Sequence, residues 1–333
     1  MKKIFSFCLT LVLLAGLLNG CGTASDTSAP NTQTKSLHIV TTIFPTYDWV
    51  RTVLGEQADN AEITFLLDNG VDMHSYQPSA EDIMKISSCD VFVYAGGESD
   101  AWASDALKNA SNKNMQVINL LDVLGEHAKE EETVEGMQGA DDHEHGSGEP
   151  SEEEPEYDEH VWLSLKNAQL FVSAIADSLS QADIAHADAY AANAVAYNKQ
   201  LAQLDAAYQS AVDAAPIKTV LFADRFPFRY LVDDYGLSYY AAFSGCSADT
   251  QASFDTIIFL ADKVNELGLH SILTIENSDD KIANTIIQNT QSRDQQVRTL
   301  NSMQTVTSND LASGTTYLSI MKENLSVLSA ALQ

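Results

Sequence analysis

Short apolar runs alternate with amphipathic segments over two separate parts of the chain. The first part contains LHIVTTIF, EITFLL, DVFVYAGG and MQVINLL, and the second contains KTVLFA, LSYYAAF, SILTIE and QVRTL. Such runs, bounded by turn residues, predict β-strands, and most of the segments between them have the spacing of amphipathic helices. Strands that alternate with helices form parallel sheets. The pattern therefore predicts two parallel-sheet α/β lobes, over residues 36–185 and 216–333.

A third pattern separates the two lobes. Residues 186–215 are rich in Ala and contain neither Gly nor Pro, and Pro216 follows them. This composition favours one uninterrupted helix, which at 1.5 Å per residue would be about 45 Å long. We therefore predict a long, rigid linking helix between the lobes.

The N-terminus carries the pattern of an export signal. Two lysines precede an apolar run that is too short for a membrane-spanning helix, so we interpret residues 1–20 as a signal peptide. The sequence Leu-Asn-Gly-Cys that ends at Cys21 resembles a bacterial lipobox, in which the cysteine is acylated. Residues 21–35 are polar and predict a flexible tether. We expect an extracytoplasmic protein anchored to the cell membrane through lipid on Cys21; an ordinary cleaved signal with an incidental cysteine is the alternative.

Charge is concentrated in one tract. The chain has 18 Lys and Arg against 47 Asp and Glu, which argues against nucleic acid as a partner and is compatible with cations. Fifteen of the acidic residues lie within 126–159. We predict a disordered acidic loop over 126–157, in which His143 and His145 would capture metal ions weakly. The simpler alternative is a solvated linker with no such role.

Two histidines stand at predicted ends of elements. His74 follows the strand EITFLL, in VDMHSYQPSAEDI, and His160 follows the acidic tract, in DEHVWLS. Ligands of α/β proteins collect at such edges of the sheet. A single histidine there is more often structural, but the two together suggest a metal clamp.

Two cysteines, Cys89 and Cys246, have no informative spacing, so core packing and a disulfide both stay open.

Four motifs extend this interpretation to a family. VDMHSYQPSAEDI, DEHVWLSLKNA, RFPFRYLVDDYGL and LTIENSDDKIANTI resemble, in order and spacing, the cluster A-I substrate-binding lipoproteins of bacterial ABC transporters for zinc or manganese. The resemblance implies two α/β lobes joined by a rigid helix, with His74 and His160 as metal ligands. It also implies a carrier, expected to be monomeric, that delivers an ion to an ABC permease. Histidines in the acidic loop favour Zn(II), with Mn(II) or iron(II) as the alternative.

The resemblance leaves the other ligands open. Arg225 stands where the family usually has a third His or a Glu, and an arginine cannot bind a cation. We therefore consider Asp224 and Glu276 as carboxylate ligands. Asn301 and Gln304 stand near the family's late acidic ligand, and a neutral amide is a poor zinc ligand, so the fourth position would be water or vacant.

Two other classes of function compete with a carrier. A metallohydrolase would use the same ligand types, but the sequence contains no HExxH, GxSxG or phosphate-binding glycine motif, and we expect no enzymatic activity. A surface-tethered adhesin is the second alternative. Its activity would not depend on metal.

Overall fold

The computed structural model describes residues 36–138, 156–247 and 251–333 of the chain. The predicted signal peptide 1–20, the lipidation site Cys21 and the tether 21–35 lie outside these residues. So do His143 and His145 of the acidic tract.

The N-terminal lobe is built on a four-stranded parallel sheet. Its strands are β1 (His38–Thr41), β2 (Glu62–Phe65), β3 (Val91–Tyr94) and β4 (Gln116–Asn119), in the order β2-β1-β3-β4. Its helices are α1 (Phe44–Leu54), α2 (Ala80–Ser88), α3 (Trp102–Lys108), α4 (Leu120–Leu124) and α5 (Leu165–Ala182). The helix α2 begins at a capping box formed by Ser79 and Asp82.

A single helix, α6 (Ala187–Ala214), connects the lobes. Its bounds agree with the predicted linking helix 186–215 to within one residue at each end. It buries a stripe of large side chains that includes Tyr190, Leu201 and Tyr208. The predicted linking helix is therefore confirmed.

The C-terminal lobe repeats the strand order of the first. Its strands are β5 (Thr219–Phe226), β6 (Ser238–Ser244), β7 (Ser271–Thr274) and β8 (Gln296–Thr299), all parallel, in the order β6-β5-β7-β8. Its helices are α7 (Arg229–Tyr235), α8 (Phe254–Leu267), α9 (Lys281–Asn289), α10 (Ser308–Ala312) and α11 (Tyr317–Ala331). The predicted class of two parallel-sheet α/β lobes is confirmed.

One predicted boundary is wrong. The segment from Phe226 to Tyr235 has the pattern of an amphipathic helix and predicts one that begins at Phe226, but β5 continues through this residue and pairs with β6 up to Ser244. The register shifts between Phe222 and Arg225, so an irregularity in the strand lets it extend past the expected end. The helix α7 begins only at Arg229.

Buried hydrogen bonds join the two lobes. The Trp162 indole donates to the carbonyl of Ser302 at 2.9 Å, and the Tyr317 hydroxyl donates to the carbonyl of Trp162 at 2.7 Å. The Tyr208 hydroxyl of α6 donates to the carbonyl of Met321 at 2.6 Å. Because all three donors are buried, each bond satisfies a polar group that would otherwise be costly. The C-terminal helix α11 thus ties both lobes to the linking helix.

The ends of the predicted acidic loop 126–157 make contacts. The Glu131 amide donates to the carbonyl of Glu156 at 2.9 Å, and the Gln138 amide donates to the carbonyl of Ala242 in β6 at 2.9 Å. The Tyr239 hydroxyl donates to Glu132 Oε2 at 3.1 Å. Residues 126–138 therefore differ from the disordered chain expected for them, because their backbone and carboxylate groups find partners in the C-terminal lobe.

Within the described ranges, no helix has the length and apolar character needed to cross a membrane.

Candidate metal site

His74 is held by a short turn at the carboxyl edge of the first sheet. It lies in a 3-10 turn, Met73–Ser75, whose N-cap Asp72 accepts a hydrogen bond from the His74 amide at 3.0 Å. The His74 Nδ1 lies 2.8 Å from the Ser99 hydroxyl, whose oxygen can accept a hydrogen bond from Nδ1–H. Burial, together with the neighbouring His160, lowers the pKa of His74 to about 3. The ring is therefore neutral at physiological pH, and Nε2 is the ring nitrogen that Ser99 does not contact.

His160 is fixed by the carboxylate that precedes it. Asp158 Oδ1 accepts a hydrogen bond from the His160 amide at 2.8 Å and lies 3.1 Å from His160 Nδ1. The imidazole is fully buried. Burial alone would lower the pKa of His160, but Asp158 outweighs it and the pKa is raised. With Nδ1–H directed at Asp158, Nε2 is left for another partner.

The two rings meet across 86 residues of sequence. The Nε2 atoms of His74 and His160 lie 3.2 Å apart, with ring centroids at 5.2 Å. Two nitrogens bound to one tetrahedral zinc ion at the usual bond length would be about 3.3 Å apart. The structure thus brings the two predicted histidines together in a geometry that one ion can bridge.

A second carboxylate lies behind His74. Glu159 Oε1 accepts a hydrogen bond from the Ser99 amide at 2.7 Å, and Glu159 Oε2 lies 3.7 Å from His74 Nδ1. Burial raises the pKa of Glu159. Ser99 therefore contacts both His74 and Glu159, and Ser99 and Glu159 together keep the imidazole in place.

Cys246 joins the two histidines. Among the described residues, the group of three His, Cys, Asp or Glu ligand atoms that lie within 4.8 Å of one another consists of His74, His160 and Cys246. Cys246 and Cys89 are both free thiols, so the structure contains no disulfide between them. Sequence reasoning missed Cys246 as a site residue. The one available signal was its position three residues after the predicted strand LSYYAAF, at the edge where ligands collect.

The two predicted carboxylate ligands lie outside this group. Asp224 Oδ1 accepts a hydrogen bond from the Arg225 amide at 2.9 Å. Glu276 accepts three hydrogen bonds, from the Ser302 amide and hydroxyl and from the Gln304 amide, at 2.7 to 3.0 Å. The Glu276 carboxylate thus holds the turn after β8 instead of joining the histidines. The sequence placed both acids at the correct edge of the sheet, but it did not reveal these local partners.

Arg225 forms an ion pair that joins the two lobes. Its guanidinium lies 2.6 Å from Asp72 Oδ2. Burial alone would raise the pKa of Asp72, but Arg225 outweighs it and the pKa is lowered. Next to this pair is a cavity of about 460 Å³, whose lining includes Ser75, Asp224, Arg225 and Glu276. Ser75, at the end of the turn that carries His74, places this crevice next to the metal site.

Comparison with known proteins places the chain beside zinc-uptake proteins. The family model of the zinc-uptake complex component A, periplasmic (ZnuA), matches residues 39–331. The zinc-binding lipoprotein AdcA of Streptococcus pneumoniae R6 is 32% identical over 295 residues, which are 88% of this chain and 55% of AdcA. The chain thus spans about half the length of AdcA. The high-affinity zinc uptake system protein ZnuA of Bacillus subtilis strain 168 is 26% identical over 316 residues, 95% of this chain and 94% of that protein.

A solved structure shares the fold. The Zn(II)-bound ZnuA-like domain of Streptococcus pneumoniae AdcA matches with a TM-score of 0.68 and 29% identity, over 89% of this chain and 99% of that one.

Proposed function

The chain belongs to the ZnuA family, and we propose that it binds Zn(II) between His74 and His160 and delivers the ion to an ABC permease for uptake. The observation that carries this proposal is the 3.2 Å separation of the two Nε2 atoms, in rings whose Nδ1 atoms have other partners. Two imidazoles whose Nε2 atoms already face each other at this distance are preorganised for one ion, so little ordering has to accompany binding.

The arrangement suits a carrier better than an enzyme. A catalytic zinc site keeps an open position for water and places a general base beside it. Here Asp158 is bonded to His160, Glu159 is bonded to Ser99, and Glu276 is bonded to the turn after β8. Asp158 and Glu276 are thus committed to local partners, whereas Glu159 Oε2 has no hydrogen-bond partner among the described residues but lies 3.7 Å from His74 Nδ1, on the side of the ring opposite to the proposed ion. We therefore propose that the ion is the cargo and that no reaction is performed on it.

We further propose that the protein is a monomeric lipoprotein anchored outside the cell membrane through Cys21. The N-terminal pattern of residues 1–35 supports this location, and AdcA, a relative, is named a zinc-binding lipoprotein. The acidic tract with His143 and His145 would raise the local concentration of cations near the crevice. We propose this role in addition to the pair of histidines.

Uptake of radiolabelled zinc tests the function. Cells that lack the protein should take up zinc slowly when the metal is scarce, and the wild-type chain should restore uptake. His74→Ala and His160→Ala should not restore it, although both proteins accumulate in the membrane fraction. His186→Ala is a matched control, since His186 pairs with Asp183 at the start of the linking helix. Restored uptake in both site variants would contradict the proposal.

A further inference from the structure

Two histidines supply two of the four ligands of a tetrahedral zinc ion. The C-terminal lobe places Cys246 beside these two histidines. Both histidines belong to the N-terminal lobe, whereas Cys246 follows β6 of the C-terminal lobe. Its Sγ and the two imidazoles have ligand atoms within 4.8 Å of one another. In a tetrahedral site the nitrogen-to-sulfur distance is about 3.6 Å, so a movement of roughly 1 Å would complete the contact.

The turn that carries Cys246 is packed against His160. A Cβ atom added at Gly245 would lie 3.0 Å from His160 Cε1 and 3.0 Å from the carbonyl oxygen of Phe226, so a larger residue would push the turn away from the ring. The Cys246 amide donates to Glu131 Oε1 at 3.2 Å, and this bond fixes the backbone on its other side. The position of the thiol beside His160 is therefore determined by its neighbours and not by the cysteine alone.

A second observation at the same place points to a cation. Gln304 is 5% exposed, and its Oε1 has no hydrogen-bond partner among the described residues. Its Nε2 donates to the Ser302 hydroxyl at 3.1 Å, which leaves the carbonyl oxygen for another partner. The amide lies beside the His74 ring and interacts with it in a way that opposes the lowering of the His74 pKa, but no hydrogen bond of ordinary length joins the two. A buried amide oxygen without a partner costs free energy, and a bound cation would recover it.

We propose that the Cys246 thiolate is the third ligand of the ion and that the Gln304 carbonyl oxygen, although a weak ligand, faces the fourth position that the sequence left to water or vacant. This inference rests on the proposed function and names the chemical class of its cargo. On binding, the S–H bond of Cys246 breaks, a bond from sulfur to metal forms, and the proton leaves to solvent. A thiolate with two imidazoles favours zinc and other thiophilic divalent ions over manganese, which prefers carboxylates and water.

Cobalt(II) is the probe, because it replaces zinc and gives a charge-transfer band in the near ultraviolet when a thiolate binds it. The full chain and its Cys89→Ser variant should both show this band on titration with cobalt(II). Cys246→Ser should lack the band, still bind cobalt through the histidines, and lose about tenfold or more of its preference for zinc over manganese. Cys89→Ser is the matched control, since Cys89 is the other cysteine of the described residues and lies apart from the site.

An unchanged band in Cys246→Ser would overturn the inference and leave the proposed function intact. A wild-type chain that binds neither cobalt nor zinc would overturn the proposed function itself. If the serine variant fails to fold, alkylation of the wild-type chain by iodoacetamide answers the same question. Zinc should protect the Cys246 peptide at least several-fold, and equal alkylation with and without zinc would overturn the inference.

Discussion

The guanidinium of Arg225 lies 2.6 Å from one carboxylate oxygen of Asp72, and the other oxygen of that carboxylate accepts a hydrogen bond from the backbone amide of His74. The pair joins the C-terminal lobe to the turn that carries a proposed ligand. An arginine at this position is thus not a lost ligand but a contact that braces the turn from the opposite lobe.

This contact predicts an energetic coupling between the two residues. Arg225→Gln should lower the free energy of unfolding by about 1 to 2 kcal/mol, because a charge-assisted bond between two largely buried groups is lost. In a double-mutant cycle with Asp72→Asn, measured by urea unfolding, the coupling should be about 1 kcal/mol. Additive effects of the two substitutions would show that the pair contributes nothing.

The carboxylate of Asp158 should control zinc affinity through His160. Asp158→Ala removes the acceptor that holds Nδ1–H and leaves the ring free to turn, so zinc affinity should fall about 10- to 100-fold. Competition with a chelator of known zinc affinity measures the change. Asp105→Ala, at an exposed ion pair on α3, is the control and should bind zinc like the wild type. Wild-type affinity in Asp158→Ala would show that this carboxylate does not control zinc binding.

The stability of the metal-free protein should depend on pH through Asp48. Burial raises the pKa of Asp48 from 3.8 to about 6, although the Tyr317 amide and Arg51 oppose the shift. Between these two values the folded protein keeps a proton that the unfolded chain has lost, so the contribution of Asp48 to stability should fall as pH rises from about 4 to about 7, against the opposite contribution of His74. Asp48→Asn should remove the contribution of Asp48 from the curve and stabilise the protein at neutral pH, relative to wild type, by about 1 to 2 kcal/mol. Urea unfolding across this range, with Asp105→Asn as the control, measures both effects, and parallel curves for wild type and Asp48→Asn would contradict the prediction.

A carboxylate at position 304 should change the preference for metal. Gln304→Glu places an anion near His74, and a carboxylate is a ligand that manganese accepts readily. Manganese affinity should therefore rise about tenfold or more, and zinc affinity should rise less, so the ratio between them falls. Isothermal titration with each ion gives the ratio. If manganese binding stays the same, the amide of Gln304 does not face the ion.

The fold and part of the site could be predicted because their signals are local. Apolar runs and the uninterrupted sequence 186–215 predicted both sheets and the linking helix, which the structure confirms. The motifs around His74 and His160 indicated the two histidines. Cys246 could not be predicted, because its role depends on the path of a turn that packs on His160 from the other lobe.

The two predicted carboxylate ligands show the same limit of prediction from sequence. Glu276 ends the apolar run SILTIE as a ligand would, but the turn after β8 folds back and surrounds it with three donors. Asp224 and Arg225 lie where β5 shifts its register. A sequence pattern does not specify how such an irregularity orients two neighbouring side chains.

Zinc affinity in the two histidine variants tests the central claim most directly. His74→Ala and His160→Ala, compared with wild type and His186→Ala by competition with a high-affinity chelator, should each weaken zinc binding by more than about a hundredfold, while circular dichroism shows an unchanged fold. His186→Ala should bind zinc like the wild type. Wild-type affinity in either His74→Ala or His160→Ala would mean that the ion is not held between these two rings.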